Sequence, residues 1–312
     1  MVLIGISLWI KSFLHPLPLS FFYDSHPMPL YALTLSLVSK GKASIILALA
    51  LIVITGFMLI RLNTRFIFIQ DRTHLPLFFY LCISGGMIFL QQLNPVVPAS
   101  IFMLLALERM LASYRIDRLS MNPFEASFLL GIASLFYAPA GLFLVLLWFA
   151  QALLRPSYWK EWLYTILGFA LPYIFLYGYD YLSGRDFNVQ TSELLIFLEQ
   201  NPHASALPIT YRIYIGYILL LVLISSFYML RVFPAKKILA RRTFNLLFWW
   251  FILSIAIYLL VPSVSYEMII MEAIPVSFIL AHYFNYTKIR PWIAELLFVI
   301  FAFLSLYSIW SN

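Results

Sequence analysis

The chain has 312 residues, 63% of them hydrophobic, 18% aromatic and only 11% charged, with a formal net charge of +7. A soluble domain carries about 25% charged residues, so this chain has too little polar surface to solvate a globule of its length, and a soluble fold is excluded. The positive charge falls in short clusters between apolar runs rather than on one polar face, which argues against nucleic acid as a partner and for the lipid bilayer.

The apolar runs recur along the whole length, which predicts an all-α polytopic membrane protein forming a single domain over residues 1–312. A helix crossing the hydrocarbon needs about 20 residues at 1.5 Å rise each. The runs predict about eleven spans, at Val2–Tyr23, Ala43–Leu62, Leu75–Gln92, Ala99–Ser113, Phe124–Tyr137, Ala138–Leu154, Trp162–Leu182, Tyr211–Leu230, Phe244–Val261, Tyr266–Phe284 and Trp292–Trp310. The first carries Lys11, His15, Pro16 and Pro18, and the third to sixth are short. Without a basic leader before Lys11, no cleaved signal peptide is expected.

Between the first two spans, "YDSHPMPLYALTLSLVSKG" opens with Asp24 and His26. Residues Pro29–Ser39 would make about 16 Å of helix, too short to cross. A helix lying along the interface is expected there, carrying Tyr31, Leu33, Leu35 and Leu37, with Gly41 placed to end it.

Orientation follows from the basic residues. With the N-terminus inside, fifteen of the twenty Lys and Arg fall in turns on the inner side, among them Arg61, Arg65, Arg109, Lys236 and Arg241. Lys40, Lys42, Arg185 and Arg212 fall outside, so the expectation is N-in and C-out. The outer segment 183–210 holds Arg185, Asp186, Glu193 and Glu199, with "LLIFLEQ" reading as a short surface helix.

Ionisable groups within spans are the natural site candidates. Glu272 lies about six residues inside the tenth span, with Glu267 at its outer edge. Glu272 would either lock helix packing or serve as a proton or cation site. Asp180 sits near the outer end of the seventh span. Glu108 and Arg109, like Asp71 and Arg72, read as surface charges. Asn122 reads as an N-cap with Pro123 at the first helical position, and Glu125 favours the positive end of that helix. The lone Cys82 excludes a disulfide and a cysteine zinc site. No histidine–carboxylate spacing matches a metal centre, no glycine-rich phosphate loop or nucleophile elbow is present, and no cofactor is expected.

The stretch "HPMPLYALTLSLVSKG" resembles the "HPPLYYLLL…G" pattern of the GT-C membrane glycosyltransferases, through His26, Pro29, Leu30, Tyr31 and Gly41. "LLGIASLFYAPAGLFLVLLWFAQALLR" and "WLYTILGFALPYIFLYGYDYL" resemble the same superfamily's paired helices and its span ending "LPY". The likeness covers residues 20–182. It implies a GT-C-like core over 1–182, an external loop over 183–210 and C-terminal helices over 211–312. It also implies Asp24 in the place of the catalytic acid, beside His26 and Tyr31. The implied activity is transfer of a sugar from a polyprenyl-phosphate donor on the outer face. Arg185 and Arg212, both on the outer side, are the candidates to hold the lipid phosphate, whose geometry a guanidinium matches, and Asp180, Glu267 and Glu272 are candidate substrate contacts as ionisable groups in or beside spans.

The sequence departs from this pattern at "LQQLNPVVPAS", where many members carry a second acid in the turn between the third and fourth spans. Asn94 stands there instead and cannot act as a base. Parts of the chain also resemble an uncharacterised family of bacterial multi-pass inner-membrane proteins, which implies that location. Two other readings stay open: a non-catalytic subunit binding other membrane subunits of an envelope complex, and a transporter using Glu272.

Overall fold

The computed structural model describes residues 2–14, 27–38, 41–69, 71, 73–116, 119–154, 158–184, 207–233, 236–287 and 291–311. All regular structure among them is helical. The order is α1 Val2–Leu14, α2 Pro29–Leu37, α3 Lys42–Phe66, α4 Leu75–Gly85, α5 Val96–Ala112, α6 Asn122–Phe136, α7 Leu144–Leu154, α8 Trp159–Leu182, α9 Ile209–Val232, α10 Ile238–Leu260, α11 Ile269–Tyr286 and α12 Pro291–Trp310. Tight 3-10 turns at Ile88–Gln91, Ala138–Phe143 and Tyr266–Met268 follow α4, precede α7 and precede α11.

Six helices among the described residues are long and apolar enough to cross a bilayer: α3, α8, α9, α10, α12, and α11 together with its 3-10 lead. The chain is therefore a multi-pass membrane protein. Of the other expected spans, Val2–Tyr23 is described only as far as Leu14, in the 13-residue α1, and three form shorter helices: α4 has 11 residues, α5 17 and α6 15. The segment Ala138–Leu154 is likewise too short.

Burial separates the centre from the rim. The apolar window of α11 is 83% buried inside the protein, and that of α8 only 17%. α11 is the central post, packed by α4, α5, α9 and α10, while α8 lies outside against α6. Glycines permit that last contact. A Cβ on Gly168 would lie 2.5 Å from the Phe124 carbonyl oxygen, and one on Gly131 would lie 2.7 Å from that of Phe169.

One end of the bundle gathers the charge. Glu108, expected at the surface, is buried and pairs with Arg61 at 3.4 Å and with Arg65. Arg109 pairs with Glu125 at 3.1 Å, Glu161 accepts from the Ser120 amide at 3.1 Å, and Arg242 donates to the Leu154 carbonyl at 3.1 Å. Met121, not Asn122, precedes the first turn of α6, and Asn122 stands inside it.

At the opposite end α4 breaks after Gly85. The freed carbonyls are met by side chains, as a membrane interior demands. Tyr214 donates to Cys82 at 2.9 Å, Ser308 to Gly86 at 2.6 Å and Gln91 to Gly85 at 2.5 Å; Gln91 also ties this break to α1 by donating to the Leu8 carbonyl at 3.0 Å.

The short helix α2 forms as expected, with Pro29 in its first turn, and packs against α6. Tyr31 is fully buried and donates to the Leu93 carbonyl at 3.0 Å, while Leu33 and Leu37 are exposed. Its ending corrects one expectation. The helix stops at Leu37 with Val38 extended, and Gly41, at φ 109°, forms the turn into α3 instead.

Candidate functional site

The site follows from unequal helix lengths. α6 and α8 run in the same direction. Ser120, just before α6, meets Glu161 near the start of α8, and Ser134 near the end of α6 bonds Tyr173 at 2.8 Å. Beyond that level α8 continues for nine more residues, about 14 Å. On the other side Phe136 stacks on Phe102, ring centres 5.6 Å apart, six residues below the start of α5. The chain therefore reverses at Tyr137, below the ends of both neighbours. α2 packs across the same helix.

Two carboxylates meet this sunken turn. Glu267 is 6% exposed; it accepts from the Ser265 amide at 3.1 Å and from the Ser265 hydroxyl. The fully buried Tyr137 lies beside Glu267 and in the field of Glu272 as well. Glu272, in the first turn of α11, faces Ser254 of α10. Tyr258 and Tyr266, ring centres 6.2 Å apart, close the cluster, and Tyr258 lies near both acids. Burying a carboxylate away from water is costly unless donors meet it. Ser265 supplies them for Glu267 through its amide and hydroxyl, so the cluster is polar within an otherwise apolar bundle.

A third acid stands on the wall above. Tyr173, Tyr177 and Asp180 are spaced i, i+4 and i+7 on α8 and so share one face. Tyr173 of that face points at Ser134. Asp180 is 3% exposed, although its neighbours Tyr179 and Tyr181 are 63% and 85% exposed. It is thus turned toward the protein about one turn above the Tyr137 reversal, not solvated at headgroup level.

The remaining sequence candidates divide as follows. Tyr31 is consumed in holding α2 to the Leu93 loop. Arg212 is exposed in the first turn of α9, at the same end, with Nε donating to the Leu207 carbonyl at 3.0 Å. Asp24, His26 and Arg185, with the helix expected at "LLIFLEQ", lie outside the described residues. Asn94 is buried, and its Oδ1 accepts from the Val96 and Val97 amides at 3.1 and 3.2 Å. That caps α5 and leaves the side chain no chemical role. Sequence reasoning missed Tyr137, Ser254, Ser265 and Tyr258. Only Tyr137 carried a signal, a tyrosine immediately before "APAG" between two apolar runs. No group of three or more metal-ligating side chains is present among the described residues.

A lipid-embedded helical bundle with a sunken acidic and phenolic cluster at one end defines a polytopic membrane protein with a candidate site near one interface. The chain belongs to a family of unknown function, DUF6427, which it matches over residues 25–311. No curated protein and no solved structure matches it.

Proposed function

We propose that this protein is a polyprenyl-phosphate-sugar-dependent glycosyltransferase of GT-C-like layout. It has about eleven membrane segments, lies N-in and C-out in a bacterial inner membrane, and acts in envelope glycan or glycoprotein assembly. The observation that carries the proposal is the stepped-down Tyr137 turn with Glu267, Glu272 and Asp180 around it and the short helix α2 packed across α6. The acids offer hydrogen-bond acceptors to sugar hydroxyls at a depth where a lipid-linked donor presents its headgroup. Arg212, exposed at the same end, is available to the lipid phosphate, whose geometry a guanidinium matches. In the reaction an acceptor hydroxyl oxygen bonds to the anomeric carbon and the bond from that carbon to the phosphate oxygen breaks. Polyprenyl phosphate leaves, and Asp24 takes the hydroxyl proton as general base.

The test uses purified protein in nanodiscs with radiolabelled polyprenyl-phosphate sugars. Saturable binding is expected, lost in Glu267→Gln, together with transfer that is lost in Asp24→Asn although binding persists. Binding no stronger than that of polyprenyl phosphate alone, or wild-type transfer by Asp24→Asn, overturns the proposal.

One observation favours a second reading, a non-catalytic subunit. The turn where many GT-C enzymes carry a second acid holds Asn94, and that side chain is locked as a helix cap. Sugar-lipid binding by wild type without transfer to any acceptor glycan, lipid or protein would select it.

A further inference from the structure

At the charged end, the turn between α9 and α10 meets the last turn of α11, and several groups there lack the partners their chemistry asks for. His282 is 1% exposed, and neither ring nitrogen has a hydrogen-bond partner. A buried polar group left in that condition is destabilising. Its ring lies between Phe244 of α10, 5.2 Å away, and Tyr286, 4.9 Å away. Lys236 stands with its ammonium 3.7 Å over the face of that same Tyr286 and acts electrostatically on His282. Lys236 makes no ion pair among the described residues, and burial lowers its pKa, against the opposing pull of Asp71. The Asp71 carboxylate is held by Asn285 at 2.8 Å. Arg241 has a buried Nε without a partner. The 23-residue helix α10 starts between these two cations with no side chain capping it, which leaves its first amides pointing out of the helix.

We infer that this corner, between the start of α10 and the end of α11, binds a phosphate-bearing anion. Lys236, Arg241 and the α10 N-terminus take the charge, and His282 donates one N–H. An uncapped helix start favours anions through its free amides and its dipole, and two flanking cations raise that preference. The tyrosine face under Lys236 holds the ammonium in place without neutralising it. The phosphate is that of an anionic phospholipid headgroup in the adjoining leaflet or a free phosphate; both present the same oxygens. The site lies at the end of the bundle opposite the Tyr137 cluster, so it stands or falls independently of sugar transfer.

The test is native mass spectrometry of the full chain released from detergent. It is titrated with short-chain phosphatidylglycerol, with phosphatidylcholine of the same chain length, and with inorganic phosphate. Phosphatidylglycerol is expected to bind more tightly than phosphatidylcholine. Its displacement by millimolar phosphate would assign the site to free phosphate, and its retention would assign the lipid headgroup. Lys236→Gln and Arg241→Gln should each weaken binding about fivefold, the size of one basic residue's attraction near an anionic surface. Lys160→Gln, exposed elsewhere at the same end, should leave it unchanged. His282→Phe should weaken binding and His282→Gln, which keeps an N–H donor, should recover part of it; both variants should elute as wild type on gel filtration. Equal affinity for the two lipids with no phosphate binding, or undiminished affinity in both charge variants, overturns the inference.

Discussion

Gly168→Ala tests the contact that sets the depth of the Tyr137 turn. The added Cβ would lie 2.2 Å from the Ser127 hydroxyl oxygen and 2.5 Å from the Phe124 carbonyl oxygen. Ser127 can rotate away, but the Phe124 carbonyl belongs to the backbone of α6 and can yield only if the helix moves. Overpacking of this kind costs about 1–3 kcal/mol. The control is Gly178→Ala on the same helix, where nothing lies within 4 Å of the new atom. There alanine should stabilise by about 0.5–1 kcal/mol, because a glycine inside a helix is unfavourable relative to alanine by that amount. Reversible unfolding in mixed micelles, followed by tryptophan fluorescence, gives both numbers. The two variants should differ by more than 1.5 kcal/mol, with opposite signs relative to wild type. Equal stability of the pair, or a Gly178→Ala variant as damaged as Gly168→Ala, refutes the close packing of α6 on α8 and the step derived from it.

Asn94→Ala should lower stability by about 0.5–2 kcal/mol through loss of the α5 cap, while Asn94→Asp should retain most of it; a neutral alanine variant in the same unfolding assay would contradict the capping role. For orientation, cysteines are placed at Arg212 and Lys236 in a Cys82→Ser background, Cys82 being fully buried. An impermeant maleimide should label position 212 and not 236 in intact cells, and the reverse pattern would invert the protein in the membrane.

What could be read in the sequence was what depends on neighbouring residues alone. Each apolar run contains a helix among the described residues, though that of Leu75–Gln92 breaks after Gly85, and the nine-residue helix at Pro29–Leu37 follows from its length and its proline entry. Errors arose where a choice between neighbours was settled by packing. Gly41 lies within reach of two helices, and its positive φ serves the one that follows. Asn122 was passed over as a cap because the turn begins one residue earlier. Glu108 looked like a surface charge because it adjoins Arg109. In the fold its partners are Arg61 and Arg65, and that contact is set by α3 lying against α5.

The site was harder to read for the same reason, carried further. In sequence Glu267 and Glu272 are five residues apart, a spacing that separates them on one continuous α-helix. The chain is not one continuous helix there: Glu267 belongs to a 3-10 turn and Glu272 to the first turn of α11. What joins the two acids is Tyr137, which is 130 positions from Glu267 and reaches it only because α6 ends about two turns short of α8. A helix length can be read from composition to within a turn or so, but a cluster built on the difference between two lengths needs both helices anchored in register. Here Gly131, Gly168 and the Ser134–Tyr173 bond provide that anchor. The depth of the site is thus fixed by small residues that carry no chemistry, and so Gly168→Ala should disturb the Glu267–Tyr137 contact although it touches neither residue.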